Sequence, residues 1–252
     1  MRPLTLTIGL LSLTAATTLS ADTSWPAPIQ ALVEEGLEIH ARFEAPSGLA
    51  GFAASHQGRA MAVYLTQDGE HALVGTLLDA EGNDLSAAPL DEHVRSAQEA
   101  EVWQELEQSH WIADGDPDAE RILYTFTDPN CPYCARFHEQ SRPWVDAGRV
   151  QLRHIMVGIL KSDSPAKAAA LLGADDPSSA LQAHQTEERV AEARAQPREI
   201  EERVRANNQL FESLGLMATP TTYYRGDDGR LEQVQGAPQE ARLIEMMGSP
   251  RP

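Results

Sequence analysis

The spacing of apolar positions changes several times along the chain, and each change marks a segment. In residues 29–39 apolar or small residues recur at Ile29, Leu32, Val33, Gly36 and Leu37, which predicts a helix. Residues 61–66 and 72–78 then read as short strands joined by Gln67-Asp68-Gly69-Glu70, and residues 79–83 form a second glycine-containing turn. This order predicts a small α+β domain with an antiparallel meander over residues 22–86.

Between residues 91 and 111 strand signals vanish. Val94, Ala97, Val102, Trp103, Leu106, His110 and Trp111 fall at near-helical spacing among Glu and Gln, which predicts an amphipathic linker helix within residues 87–114. Trp103 and Trp111 fit its packed face. Asp114-Gly115-Asp116-Pro117 should end the helix and mark a domain boundary.

Residues 121–126 form an apolar run suited to a buried strand, and residues 135–145 follow as a helix with a bend expected at Pro143. Residues 150–157 read as the next strand, completing a βαβ unit. Three helices should then occupy an insertion over residues 162–215. Ser164-Pro165 and Asp176-Pro177 read as N-cap and N1 pairs, Pro197 as a separator and Gly215 as a terminator. Beyond Thr219-Pro220, residues 221–224 and 231–234 predict a hairpin around Gly226-Asp227-Asp228-Gly229, before a last helix over residues 238–247. Residues 115–252 are therefore expected to form one α/β domain with a helical insertion. There is no internal repeat.

Composition narrows the function. A chain of 252 residues with 42% apolar content can bury more than one core. Acidic residues outnumber basic ones 38 to 20, and a formal charge of -18 argues against nucleic acid or anionic lipid as a partner. Arg2, the apolar stretch over residues 4–19 and the small residues Ser20 and Ala21 read as a cleavable signal peptide, with cuts expected after Ser20 or Ala21. That stretch is diluted by Thr and Ser and falls short of the roughly 20 residues a membrane span needs.

The two cysteines of the chain both lie in Cys131-Pro132-Tyr133-Cys134. A disulfide kept for stability gains most from closing a long loop, about 4.7 kcal/mol for about 100 residues against about 2 kcal/mol for four. A structural staple would therefore sit elsewhere. A strand that ends just before a cysteine opening a helix places that sulfur among unsatisfied N–H groups at the positive end of the macrodipole. Cys131 is thereby expected to be the nucleophilic thiolate, with Cys134 one turn deeper as the resolving thiol. Pro132 fixes the helix start and Tyr133 adds no positive charge, so the pair between the cysteines should give a moderately acidic thiol.

Other uses of the motif fit less well. Haem attachment needs His directly after the second cysteine, where this chain has Ala135. Zinc would require ligands from His138, His154 or His184. A pair of inert thiols is at odds with export into an oxidising space. Thr219-Pro220, just ahead of a strand, is the second chemical feature, since a proline there could turn the backbone toward the sulfurs.

Phe126-Thr127-Asp128-Pro129-Asn130-Cys131-Pro132-Tyr133-Cys134, then Arg142-Pro143-Trp144-Val145-Asp146 and Val157-Gly158-Ile159, resemble the DsbC/DsbG family of bacterial thiol:disulfide interchange proteins. Ser164-Pro165-Ala166, Thr219-Pro220, Gly236-Ala237-Pro238, and upstream residues 61–66 and 107–111 extend the resemblance from about residue 60 onward, more faintly over residues 175–215. It implies a thioredoxin-fold catalytic domain, and a periplasmic V-shaped homodimer joined through the N-terminal domains. It also implies a cis Pro220 preceded by Thr219 and facing the sulfurs. Activity on disulfides and sulfenic acids of exported clients is implied too, with recharging by a membrane reductase of the DsbD type. No metal or separate cofactor is expected, because the Cys131, Cys134 pair is itself the redox centre. A disulfide-donating oxidase like DsbA and a holding chaperone are the alternatives.

Overall fold

The computed structural model describes residues 25–187 and 190–252. The expected leader lies outside the described residues. The chain forms two compact units that divide between Val94 and Arg95.

In the first unit, α1 (Ala27–Glu34) is followed by strands β1 (Glu38–Glu44), β2 (Ala50–His56), β3 (Arg59–Leu65) and β4 (Ala72–Val74), antiparallel in that order. The helix expected to reach residue 39 ends early. Gly36 takes φ +97°, a conformation that favours glycine, and the Leu37 N–H turns back to the Leu32 carbonyl at 3.0 Å. Ile39 is consequently a strand residue. Neither β1 nor β2 was read from the sequence. The centre of β2 is buried on both faces and rich in alanine, so it shows no alternation of apolar and polar positions. Ile29, Phe52, Ala54, Val63 and Leu65 pack on one face, and Ala53, Ala62 and Tyr64 pack with Leu90 and Val94 on the other. β4 is an edge strand that leaves Leu73 and Val74 exposed.

The helical path expected between the domains runs through α2 (Ala87–Leu90), a π-helical turn (Asp91–Arg95) and α3 (Ser96–Gln108). It ends before Trp111, which opens β5 (Trp111–Asp114). The stretch read as a boundary, residues 114–117, is instead a loop inside the second unit.

That unit continues with β6 (Arg121–Thr127), α4 (Pro132–Asp146), β7 (Val150–Met156), α5 (Ser164–Leu172), α6 (Pro177–Gln185) and α7 (Arg198–Ser213). β8 (Thr221–Arg225), β9 (Leu231–Gln235) and α8 (Glu240–Met247) complete it. The sheet order is β5-β7-β6-β8-β9, with β6 and β7 parallel and the other pairs antiparallel. The central position of β6 explains its nearly continuous apolar sequence. Leu123, Leu152 and Tyr224 pack with Phe137 and Trp144 of α4 and Leu243 and Met246 of α8. On the opposite face Tyr124, Phe126, Ile155 and Tyr223 pack with Leu106 of α3 and Phe211 of α7. The result is helices on both faces of a five-stranded sheet, with α4 starting at the C-terminal end of its central strand.

Candidate active site

Cys131 is the N-cap of α4, and Pro132 occupies the first helical position, where its missing N–H is not needed. The Cys131 sulfur accepts from the Cys134 backbone N–H at 3.3 Å and donates its thiol proton to the Thr219 carbonyl at 3.2 Å. The Thr219-Pro220 bond is cis, as the resemblance implied. Both cysteines are buried, Cys131 at 6% exposure and Cys134 at 2%.

The two thiols differ in acidity. Hydrogen bonding from the Cys134 thiol lowers Cys131 to about 6 against opposition from burial, with further help from Thr219 and the backbone N–H groups of Cys134 and Tyr133. Burial pushes Cys134 well above the usual thiol value, and the neighbouring Cys131 adds to the shift. The Thr219 hydroxyl is buried without a hydrogen-bond partner. Tyr133, between the cysteines, is 59% exposed.

The loop before Cys131 is held by residues that the sequence reading did not assign to the site. The buried Asp128 carboxylate accepts from the Asn130 N–H at 2.8 Å, the Ser164 hydroxyl at 2.8 Å, and the N–H groups of Ile159 and Leu160 at 2.8 and 2.9 Å. Its carbonyl accepts from the Cys131 N–H at 3.0 Å. Ser164 was expected to cap α5. Its hydroxyl makes no cap bond; besides donating to Asp128, it accepts from the Asn130 side chain and the Lys161 N–H. Lys167 donates to Asn130 Oδ1 at 2.9 Å. Asp176 does cap α6, accepting from the Ser179 N–H at 3.1 Å.

His184 of α6 also reaches this loop. Its Nδ1 accepts from the Ala191 N–H at 3.0 Å, so Nε2 carries the proton and donates to the Pro129 carbonyl at 2.7 Å. The chain passes close to itself here. A Cβ on Gly158 would stand 2.5 Å from the Pro165 Cα, so only glycine fits between β7 and α5.

Beneath α4 lies a second polar group. Arg142 and His154 both bond to Asp114, with Arg142 Nη1 at 3.0 Å and His154 Nε2 at 3.4 Å. His154 Nδ1 lies 3.0 Å from the Thr127 hydroxyl. Burial works to raise the Asp114 carboxyl, but His154 and Arg142 hold it well below the usual carboxylate range. His138, one turn beyond Cys134, is buried with Nε2 unpaired and 3.6 Å from Asp114. Burial, and then the charges of Arg142 and His154, lower it to about 3, so it is neutral near pH 7. The histidines weighed as zinc ligands thus lie in two separate networks. Among the described residues, the trio gathered within metal-binding reach is Asp68, Glu70 and His71, on an exposed turn.

Of the sequence-predicted residues, Cys131, Cys134, Pro132, Tyr133, Thr219 and Pro220 come together at one pole of the sheet. The Asx turn from Asp128 to Asn130 had a local signature in Asp-Pro-Asn. The partners supplied by Ile159, Ser164 and His184 had none.

Comparison with known proteins agrees with this geometry. A thioredoxin-like domain family matches residues 113–249. The chain is 48% identical over 248 residues to the thiol:disulfide interchange protein DsbG of Pseudomonas aeruginosa, covering 97% of this chain and 96% of that protein. It is 37% identical to DsbG of Escherichia coli K12, covering 89% and 92%. A linker-deletion variant of Proteus mirabilis ScsC shares the fold at a TM-score of 0.50 and 20% identity, over 64% of this chain and 86% of that one.

Proposed function

Because the chain belongs to the DsbG family of thiol:disulfide interchange proteins, we propose that this thiol–disulfide oxidoreductase works from its dithiol form on exported proteins in the periplasm. The observation that carries the reading is the unequal pair: Cys131 at the N-cap of α4, lowered to about 6, beside a deeper Cys134 raised well above the usual value. At neutral pH the first sulfur is a thiolate and the second holds its proton.

The Cys131 thiolate attacks one sulfur of a client disulfide. The S–S bond breaks, the other client sulfur leaves with the electron pair, and a mixed disulfide forms. The freed client thiolate can attack a different client disulfide, which reshuffles the pairing and finally returns Cys131 as a thiolate. Otherwise Cys134 loses its proton and attacks Cys131, so that the client departs with two electrons and the enzyme keeps a Cys131–Cys134 disulfide. On a client sulfenic acid the attack of the Cys131 thiolate forms the S–S bond and breaks the S–O bond, the oxygen leaving as hydroxide that takes a proton from solvent, and Cys134 resolves the same mixed disulfide. The dithiol pair is the whole redox centre and needs no metal or separate cofactor. A membrane reductase of the DsbD type would restore it.

Thr219 and Pro220 would offer backbone beside the sulfur to an extended client. The exposed apolar edge at β4 supports a homodimer formed through residues 25–85, since an unpaired edge with Leu73 and Val74 in water invites a second copy. An oxidase would favour a more acidic nucleophile, toward about 3.5. Reshuffling of a mispaired client under anaerobic conditions tests the choice. Recovery of native pairing with the reduced protein supports it, and activity confined to the oxidised protein refutes it.

A further inference from the structure

We propose that Tyr133, Ile159, Leu160 and Met217 form an apolar rim that selects client cysteines flanked by large apolar side chains. The proposal rests on the exchange reading above and names its substrate class.

Cys131 is 6% exposed, so a client sulfur reaches it only by bringing its neighbouring residues down onto the surrounding loops. Those loops carry exposed apolar side chains in a chain with 58 charged residues, 38 acidic and 20 basic. Met217 is 88% exposed, Tyr133 59%, Leu160 48% and Ile159 37%. They come from three separate segments, each tied to Cys131 by a short path. Tyr133 lies in the first turn of the helix that Cys131 caps. Met217 stands two residues before Thr219, whose carbonyl takes the Cys131 thiol proton at 3.2 Å. Ile159 and Leu160 donate both backbone N–H groups to Asp128, whose carbonyl takes the Cys131 N–H.

The fold covers these side chains only in part, and Met217 hardly at all. Leu216 enters the core beside Phe211 and Tyr223 while the adjacent Met217 stays in water. The backbone at Ile159 and Leu160 does the bonding to Asp128, and both residues keep between a third and a half of their surface in water. An extended client places residues on either side of its cysteine roughly 7 Å away on the same face, from a rise of about 3.3 Å per residue. That reach brings flanking side chains from the sulfur onto the neighbouring loops. The occupant is therefore a client polypeptide with large apolar residues two positions from its cysteine, rather than one chosen by charge.

The test uses the full-length reduced protein and two disulfide-bearing peptides that differ in having Leu or Ser two residues before and two residues after the cysteine. The unaltered protein should reduce the Leu peptide about ten-fold faster, the discrimination expected of a modest apolar contact. In Ile159→Ser/Leu160→Ser/Met217→Ser the ratio should fall close to one. If that variant fails to fold, Met217→Ser alone should still lower the ratio. Equal rates on the two peptides with the unaltered protein, or a ratio that survives in the variants, would overturn the rim. So would loss of the dimer in the variant, which would assign the rim to a second copy. Reaction of the unaltered protein with neither peptide would instead sink the exchange reading on which the rim depends.

Discussion

The thiol of Cys131 meets the carbonyl of Thr219 at 3.2 Å, across 88 residues of sequence. This contact joins the start of α4 to the loop that leads into β8, and places the Thr219 hydroxyl, buried and unpaired, beside the sulfurs. The Thr219 side chain is among the groups that lower Cys131, and a thiolate there would draw that free hydroxyl as a donor. Thr219→Val should therefore raise the Cys131 pKa and slow its alkylation at pH 6 several-fold, with little change at pH 9. Iodoacetamide kinetics across that range check the shift, and an unchanged profile would remove Thr219 from the account.

The two sulfurs should fail differently when replaced. Cys131→Ser should abolish exchange, whereas Cys134→Ser should retain attack and accumulate mixed disulfides through Cys131. Non-reducing electrophoresis after incubation with a disulfide client shows the difference. Equal loss without trapped adducts would argue that Cys134 is not the resolving thiol.

The Cys131 shift also bears on stability of the reduced protein. Its folded pKa, about 6, lies below the usual value of 9.0, so its contribution is fully present above 9 and is lost as pH falls toward 6. Cys134 has the opposite sign, and its contribution declines only above 9. Oxidation removes both groups. The reduced form should thus gain stability relative to the oxidised form between pH 6 and 9, as followed by urea unfolding of each.

His138 gives the molecule an acid-sensitive helix. Its pKa is lowered from 6.5 to about 3, so the unfolded chain binds the proton first and stability falls as pH drops from 6.5 toward 3. Each pH unit inside that window costs about 1.4 kcal/mol at most. His138→Gln should flatten this slope, a comparison made by urea denaturation at pH 4.5 and 7. Asp114→Asn should destabilise at both pH values, because it removes the nearer of the two carboxylates paired with the largely buried Arg142 and leaves it Asp146 at 3.6 Å.

Much of the second unit was legible because its signals are local. The strand, CxxC and helix around residues 121–146 announce themselves by an apolar run, a proline at N1 and a helical period. The hairpin at residues 221–235 announces itself by its turn residues. β1 and β2 were not legible, since the helix period of residues 29–37 runs up to β1 and the small residues of β2 give no contrast between faces. The turn at residues 114–117 follows β5, which already pairs with β7, so the sheet of the second unit begins a few residues ahead of that turn. The support for Cys131 from Asp128, Ser164 and His184 depends on contacts 31 to 55 residues apart, for which spacing carries no signature.

The proposed dimer would form on the edge strand β4 of the first unit. Leu73→Glu/Val74→Glu should convert a dimer into a monomer without affecting alkylation of Cys131, because the substitutions put charge on the exposed edge of β4. Sedimentation velocity of the full chain decides it; a variant that stays dimeric would move the interface elsewhere.

The central claim is that the protein works from its dithiol form, and the most direct measurement is the redox state of Cys131 and Cys134 in living cells. Acid quenching followed by alkylation with a mass-tagged maleimide freezes that state. The account predicts that most of the protein carries two tags, and that the tags are lost when the membrane reductase is absent. Predominantly untagged, oxidised protein in otherwise normal cells would contradict it and make the protein a disulfide donor.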